Sequence, residues 1–378
     1  MEKGKGIFFI CSNPIAPNPR VEKQARTLSK NGFKITVIGW DREGKFPQNE
    51  TKDYGEIYRI QTSGKYGSGM RNLFAVVRWN IVLFSFLSRN RANYDFVHAC
   101  DFDSIIPGLL CKFLYKKKVI YDICDFYAEM IRNIPDFVKA IIKHMDLFLI
   151  GLADAVILAD EIRTEQIKGS KPKKLVVIYN SPPSIQLKEG ICSGTDNHNL
   201  VIAYIGLLQR ERAIFGVIDV VKEHPECKLV LGGYGAEEEG IKEYIKGFGN
   251  IEFVGRVPYE KTLEIYASCD VMFAIYDPRI PNHRYSSANK LFEAMMLGKP
   301  IIVARNTGMD LIVEKYKLGF VVEYGNKKEL EEALTKISEW DESALQKFSE
   351  NAKKVYAENF SWGIMERRLV ELYRSLAE

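Results

Sequence analysis

The 378-residue chain has no long clean apolar run, no paired-cysteine motif and no strong excess of one charge. Its longest apolar stretches, LFAVVRWNIVLFSFL at 73–87 and DLFLIGLADAVILA at 146–159, are interrupted by Arg, Asn or Asp. Neither reaches the roughly 18 apolar residues that a membrane span needs. The opening MEKGKGIFFICSNPIAPNP has an apolar core too short for a secretion signal and reads as a first strand. Seven cysteines are scattered with no CxxC pair. That usage fits free buried thiols in a reducing compartment, not a disulfide frame or a zinc site, and the expected location is the cytoplasm. A net charge of +4 without a basic run interleaved with aromatics gives no reason to expect a nucleic-acid partner. Short repeats and low-complexity tracts are also missing.

What is present is an ordinary globular composition, 46% apolar and 27% charged, on a chain long enough for two cores. GIFFIC is a strand, SNPIAPNP a loop held open by prolines, and RVEKQARTLSKNG a helix with Val21, Ala25 and Leu28 on one face. FKITVIGW, YDFVHACD, KKVIYDICD, DAVILAD and KLVVIYN continue an alternation of strands with helices. SPPSIQLKEGICSGTDNHN at 181–199 is polar and aperiodic, after which the alternation restarts with LVIAYIG. The fold class is therefore α/β, with two Rossmann-like, doubly wound parallel-sheet domains facing across a cleft. The expected boundaries are 1–185, a linker at 186–199, 200–356, and a terminal helix at 357–378 that packs back on the first domain. Ligands in such sheets lie beyond the carboxyl ends of the strands, so the loops after strands are where chemistry is sought.

The stretch SSANKLFEAMMLGKPIIVA at 286–304 predicts a helix capped by Ser286 or Ser287 and ended by Gly298 and Pro300. Lys290 and Glu293 stand one turn apart near its start. Two readings of that pair stand. One is an i,i+3 surface ion pair worth about 0.2–0.5 kcal/mol. The other is a nucleoside diphosphate site, with phosphates at the helix mouth beside Lys290 and ribose hydroxyls on Glu293. Two further patterns carry little. Asp101-Phe102-Asp103 is a DxD, which binds manganese in a one-sheet fold unlike this one, so no metal is expected. GGYG at 232–235 lacks the rest of a dinucleotide fingerprint and reads as a tight turn.

The segment KLFEAMMLGKPIIVARNTGMDLIVEKYKLGFVVEYGNKKELEEAL resembles the nucleotide-sugar half of retaining glycosyltransferases of the GT-B fold, the glycosyl transferases group 1. Nearly the whole chain shares the resemblance. It implies a hexosyltransferase-type enzyme with a UDP- or GDP-linked donor as substrate, no cofactor, and a glycan or lipid-linked acceptor against the first domain. In that family a Glu-x7-Glu motif lies on this helix. Glu293 matches its second Glu, which holds the donor ribose, while Tyr285 stands where the first would be. The chain is similar to a variant carrying Asn-Lys-Leu-Phe-Glu here, which implies donor contacts from Asn289, Lys290 and Leu291. YIGLLQRER resembles a Gly-Arg-Leu-x-x-x-Lys-Gly segment that grips the diphosphate. Gly206 and Leu208 match, Arg212 takes the Lys position, and Leu207 replaces the Arg. FVGRVPYEKTLEIYASCDV resembles the base-reading stretch, around Arg256 and Val257.

In the first half, SNPIAPNPRVEKQA resembles the loop that closes over donor phosphate and acceptor, which implies roles for Asn13 and Arg20. A solvated helix-start residue is the other reading of Arg20. VHACD resembles a His-x-x-Asp loop and YDICDFYAE a loop that often carries His at the Cys124 position. The resemblance thus groups His98 with Arg212 and Lys290 as catalytic, and Asp101 and Asp125 with the acceptor or phosphate loop. A satisfied interior histidine is the other reading of His98. Residues 65–94 mix Arg with Trp, Phe and Leu, which fits either peripheral contact with a membrane surface or a helix packed on the sheet. Three departures, Leu207, Tyr285 and Cys124, keep two alternatives open: an epimerase or hydrolase of the same fold, and a catalytically silent nucleotide-binding or scaffold subunit.

Overall fold

The computed structural model describes residues 4–64, 71–131, 134–183 and 200–378. The chain forms two compact units, Met1–Tyr179 with Met365–Glu378, and Asn180–Ile364. The expected linker at 186–199 lies outside the described residues.

The first unit runs β1 (Gly6–Cys11), α1 (Pro19–Lys30), β2 (Lys34–Asp41), β3 (Asn49–Lys52), β4 (Gly55–Gln61), α2 (Arg71–Arg89), β5 (Phe96–Cys100), α3 (Phe102–Tyr115), β6 (Lys118–Ile123), α4 (Tyr127–Met130), α5 (Asp136–Leu152), β7 (Ala155–Leu158) and β8 (Leu175–Val177). Its eight-stranded sheet has the order β3-β4-β2-β1-β5-β6-β7-β8. Only β3 runs antiparallel, in a hairpin with β4 at the edge. β1 is buried at every position, as a parallel strand covered on both faces must be, which is why GIFFIC is apolar without alternation. α1 starts where Asn18 accepts a hydrogen bond from the Val21 amide at 3.3 Å, and Pro19 supplies the preset first turn.

On one face of this sheet the inner sides of α2, α3 and α5 close the core. Trp40 of β2 stacks on Trp79 of α2 at 5.1 Å between centroids. Such an aromatic pair adds about 0.5–1.5 kcal/mol beyond its buried area. Residues 73–87 thus lie within a helix packed on the sheet, one of the two readings of that segment; residues 65–70 lie outside the described residues. One acid sits inside this core. Asp146 of α5 is fully buried and accepts a 2.7 Å hydrogen bond from the Tyr121 hydroxyl. Burial pushes its carboxyl up to about 7, against the opposing pull of the Tyr121 bond.

The second unit runs β9 (Leu200–Leu207), α6 (Ile214–Glu223), β10 (Cys227–Tyr234), α7 (Glu238–Tyr244), β11 (Ile251–Gly255), α8 (Tyr259–Ser268), β12 (Val271–Ala274), α9 (Asn289–Leu297), β13 (Ile301–Ala304), α10 (Met309–Tyr316), β14 (Gly319–Val322), α11 (Lys327–Ser338) and α12 (Glu342–Val355). Its six strands are all parallel in the order β11-β10-β9-β12-β13-β14. That is the nucleotide-binding order 3-2-1-4-5-6, whose direction of progression reverses between β9 and β12. A last helix, α13 (Trp362–Ala377), carries Tyr373 into the first unit, edge-on to Phe33 and Phe96.

Candidate active site

In the second unit, the loops after β9 and β12 and the start of α9 meet at the point where strand order reverses. β9 ends in Gly206-Leu207, and a short 3-10 turn, Arg210–Arg212, leads into α6. β10 presses its Gly233 so closely on this segment that a Cβ there would lie 1.7 Å from the Gly206 carbonyl oxygen. With φ of +126°, Gly233 also has a backbone that other residues rarely adopt, so GGYG is a close strand approach and not a dinucleotide loop.

α9 starts at Asn289, not at Ser286. Ala288 takes the cap position and no side chain caps the helix. The Ser286 amide is bonded to the His283 and Thr307 carbonyls, which holds that segment in a turn and denies either serine the capping geometry. The first turn is left with backbone donors no side chain covers, an anion-favouring arrangement. Gly298 ends the helix in the left-handed conformation, φ +70°, as its sequence position implies.

Lys290 reaches from that first turn across to β9. It is only 9% exposed, and its Nζ lies 4.2 Å from the centre of the Tyr204 ring. A Cβ built on Gly206 would come 2.5 Å from this ammonium, so the absence of a side chain at 206 is what lets Lys290 occupy its place. Among the described residues Lys290 makes no ion pair. Burying an ammonium without a counter-charge is unfavourable, and a ligand anion relieves it. Arg212 stands in a matching arrangement. Its guanidinium lies 3.7 Å from the Tyr276 ring centre, and its buried Nε has no hydrogen-bond partner among the described residues. Beneath it His283 lies 3.0 Å from the Asp277 carbonyl through Nδ1. Burial first, and then the Arg212 charge, lower the His283 pKa and favour its neutral form.

Glu293 is buried and accepts a 3.1 Å hydrogen bond from the Tyr259 hydroxyl. It is not paired with Lys290, so the i,i+3 surface ion pair is not what the structure contains. Asn289 is exposed, and its Oδ1 accepts from Asn180 Nδ2 at 2.7 Å. Leu291 requires a correction: its side chain is fully buried and its amide is bonded to the Ala288 carbonyl, so it is a core residue with nothing to offer a donor. Val257 follows β11 in a half-exposed loop, next to Arg256, whose guanidinium lies over the Tyr234 ring at 4.8 Å. Tyr204, Tyr276 and Tyr259 were not among the expected site residues. Tyr204 lies within β9, Tyr276 just beyond β12 and Tyr259 at the start of α8, with no shared signal in the sequence.

In the first unit the expected contacts turn inward. Arg20 is buried and not solvated. Its Nε and one terminal nitrogen fork onto Asp122 at 3.1 and 2.7 Å, and the other nitrogen donates to the Ile178 carbonyl at 2.9 Å. Gln24 adds a 2.9 Å bond to the same carboxylate. His98 is fully buried, with Nε2 3.3 Å from Asp122 and Nδ1 2.7 Å from the Tyr373 hydroxyl. Both ring nitrogens are occupied, so His98 is a satisfied interior histidine and not a group that reaches substrate. Burial alone would lower its pKa, but the bonds to Asp122 and Cys100 push it up to about 9. Burial alone would likewise raise Asp122, yet Arg20 and then His98 hold it well below the carboxylate range. Asp122 was not anticipated; a lone acid in the otherwise apolar run KVIYDI was the available clue.

The neighbouring loops are tied together by Asp101, whose Oδ1 accepts from the Cys124 and Asp125 amides at 2.9 and 3.3 Å. Burial and then the nearby Asp103 raise the Asp101 pKa well above its ordinary value. Asp125 accepts from Arg163 at 2.9 Å, and Asn13 caps the Ile15 amide at 3.0 Å. No group of His, Cys, Asp and Glu among the described residues is arranged to hold a metal ion. The six cysteines among them are free.

Solved structures with this fold cover almost the entire chain. Sucrose-phosphate synthase from Thermosynechococcus elongatus superposes with a TM-score of 0.77 at 17% identity, over 98% of this chain and 99% of that one. HepE from Anabaena, in complex with UDP and glucose, gives 0.70 at 16% identity, over 98% and 100%. The two parallel-sheet units and these neighbours define the GT-B fold. The capsular polysaccharide biosynthesis glycosyltransferase CapM of Staphylococcus aureus is 22% identical over 71% of this chain and 73% of its own length. A D-inositol 3-phosphate glycosyltransferase of Corynebacterium kroppenstedtii is 25% identical over 48% of this chain, a match spanning 41% of that protein. Residues 193–355 match the family model Glycosyl transferases group 1; with that segment and relatives named glycosyltransferases, the chain is an enzyme, a glycosyltransferase.

Proposed function

We propose that the protein transfers a hexose with retention of configuration from a nucleoside-diphosphate sugar to an acceptor hydroxyl, in polysaccharide or glycolipid assembly. The observation that carries this reading is the pair of cations with no acidic partner among the described residues, Lys290 and Arg212, set over Tyr204 and Tyr276 where the strand order reverses. UDP is the first candidate nucleotide, since HepE binds UDP; GDP is the second. The diphosphate lies between Lys290 Nζ, Arg212 and the uncapped amides of α9. Glu293, oriented by Tyr259, takes the ribose hydroxyls, and the loop at Val257 faces the base.

The difficult event is departure of an anionic diphosphate from a carbon that becomes cation-like. Positive charges fixed in advance stabilise the charge that develops on the leaving oxygen, and they need no reorganisation at that moment. Arg212 contributes a planar fork that matches two phosphate oxygens, and Lys290 a point charge. The leaving phosphate takes the acceptor proton as the new glycosidic bond forms, so no covalent enzyme intermediate is required. The name of CapM supports a polysaccharide context. A lipid-linked acceptor places the enzyme in the cytoplasm, at the inner face of a membrane.

Titration with UDP and GDP followed by thermal unfolding tests the pocket, because a ligand at 100 times its Kd adds about 2.7 kcal/mol. Incubating the binding nucleotide's hexose donor with and without an acceptor extract then separates the readings. Acceptor-dependent release of nucleotide supports transfer. Equal turnover of donor alone identifies an epimerase or hydrolase, and binding without turnover a silent subunit.

A further inference from the structure

The helices α2, α3 and α5 of the first unit are apolar on two sides. Their inner sides fill the core with residues such as Trp79, Leu109 and Ile150. Their outer sides carry Phe74, Ile81, Phe113, Phe137, Ile141 and Phe148, each at least 60% exposed. A helix of a globular protein ordinarily turns a polar face outward. Isolated exposed apolar residues need no explanation, but here those on the three helices outnumber all others among the described residues. The helices are neighbours, α2 against α3 and α3 against α5, so the exposed residues lie on adjoining helices.

The exposed charge on these three helices is predominantly positive. α2 contains no acidic residue. Asp103 of α3 and Asp146 of α5 are buried in the interior, leaving Asp136, 3.8 Å from Lys139, as the exposed acid of the three helices. Arg78, Arg89, Lys116 and Lys143 are exposed. Large aromatics bordered by cations, with no unpaired acid, match the interface of an anionic bilayer, where apolar groups enter the headgroup boundary and cations meet lipid phosphates. None of the helices is long and apolar enough to cross a membrane, so the contact is made from one side.

We propose that the outer surface of α2, α3 and α5 docks the protein peripherally on an anionic phospholipid bilayer. The proposal deepens the reading of a lipid-linked acceptor, because it would hold the first unit where such an acceptor is anchored. Its physics does not depend on the donor site.

The test is flotation of the full chain with vesicles of phosphatidylcholine alone and of phosphatidylcholine with 30% phosphatidylglycerol, without donor or acceptor. Binding to the anionic vesicles should exceed binding to the neutral ones by about tenfold and weaken as salt is raised. The triple variant Phe137→Ser, Ile141→Ser, Phe148→Ser should lose at least tenfold in binding while keeping its thermal midpoint. The pair Arg78→Glu, Lys143→Glu, which leaves the aromatics intact, should abolish the preference for anionic lipid. Absence of flotation with anionic vesicles, or flotation of both variants equal to that of the unmodified chain, overturns the proposal. So does a stable dimer in light scattering that the triple variant dissociates, which would assign the surface to a second copy. None of these readouts uses sugar transfer, so a failed transferase assay leaves this test intact.

Discussion

Replacing Gly206 by Ala is a small change with a defined target. The methyl group would come 2.5 Å from Lys290 Nζ and 3.5 Å from its Cε. Ordinary contact requires about 3.4 Å or more, so the ammonium has to withdraw by roughly 1 Å from the end of β9. The displaced group is the tip of a flexible side chain, and Gly206 is not in the left-handed region. Folding should therefore change by less than about 1 kcal/mol, with a gain of about 0.4–1 kcal/mol available from the stiffer unfolded chain. A charge-assisted hydrogen bond contributes about 1.5–3 kcal/mol. Losing half of the Lys290 contact to a diphosphate then raises the nucleotide Kd by about four- to twelvefold. Lys290→Ala should raise it by about ten- to a hundredfold. Isothermal titration of the four proteins in the double-mutant cycle decides whether Gly206 acts through Lys290. In the Lys290→Ala background, Gly206→Ala should add almost nothing. Full additivity, or an unchanged Kd in Gly206→Ala, refutes the argument.

Arg212→Ala should weaken nucleotide binding by about ten- to a hundredfold, and Arg212→Lys should recover part of it, because charge returns but the fork does not; equal affinity of all three proteins contradicts the assignment. Asp122→Asn should destabilise the protein by about 3–5 kcal/mol in urea denaturation, since it strands the buried Arg20. The same network has a pH signature. His98 is raised from 6.5 to about 9, so its contribution is complete below about pH 6.5 and fades as pH rises through 9. Asp122 is held low, so its contribution is present above about pH 4 and fades in stronger acid; an alkaline fade that persists in Asp122→Asn would exclude this origin. Asp146 acts in the opposite sense to Asp122. Its carboxyl is raised from 3.8 to about 7, so the native state holds a proton the unfolded chain has lost, and stability falls as pH rises between those values. Asp146→Asn keeps an acceptor for Tyr121 and should flatten that slope, by at most about 4 kcal/mol; a difference curve without slope between pH 4 and 7 would refute it.

The strand–helix alternation was legible in the sequence because parallel strands covered on both faces are apolar runs, and helices between them show a single stripe. The hairpin at 49–61 was not, since NETK and GEIYRIQ at a sheet edge are too polar to stand out. The cap of α9 lies one or two residues beyond the expected Ser286 or Ser287, because SS before a helix is a capping signal only when the backbone is free to adopt it, and Ser286 is held by Thr307. Lys290 and Glu293 stand out in the sequence by their spacing one turn apart, and Arg212 through the resemblance to the diphosphate-gripping segment. Their partners Tyr204, Tyr276 and Tyr259 come from three separate loops or strands, and no local pattern announces them. Arg20 and His98 each carry two readings in the sequence, a ligand contact implied by the resemblance and, respectively, a solvated helix start and a satisfied interior histidine. Their common partner is set by strand pairing, which places Cys100 of β5 opposite Asp122 of β6. Such non-local pairing has no trace in either segment alone.

The hydroxyl that occupies His98 Nδ1 belongs to Tyr373, in a stretch translated after the whole of the second unit. During synthesis the first sheet therefore emerges with Nδ1 of its interior imidazole unpartnered, and it stays so until residues 365–378 leave the ribosome. Domains generally fold as units in the order they are made; here the earlier one reaches its final form only after the later one has appeared. A nonsense codon between the two units would yield an open-faced fragment and not an independent domain.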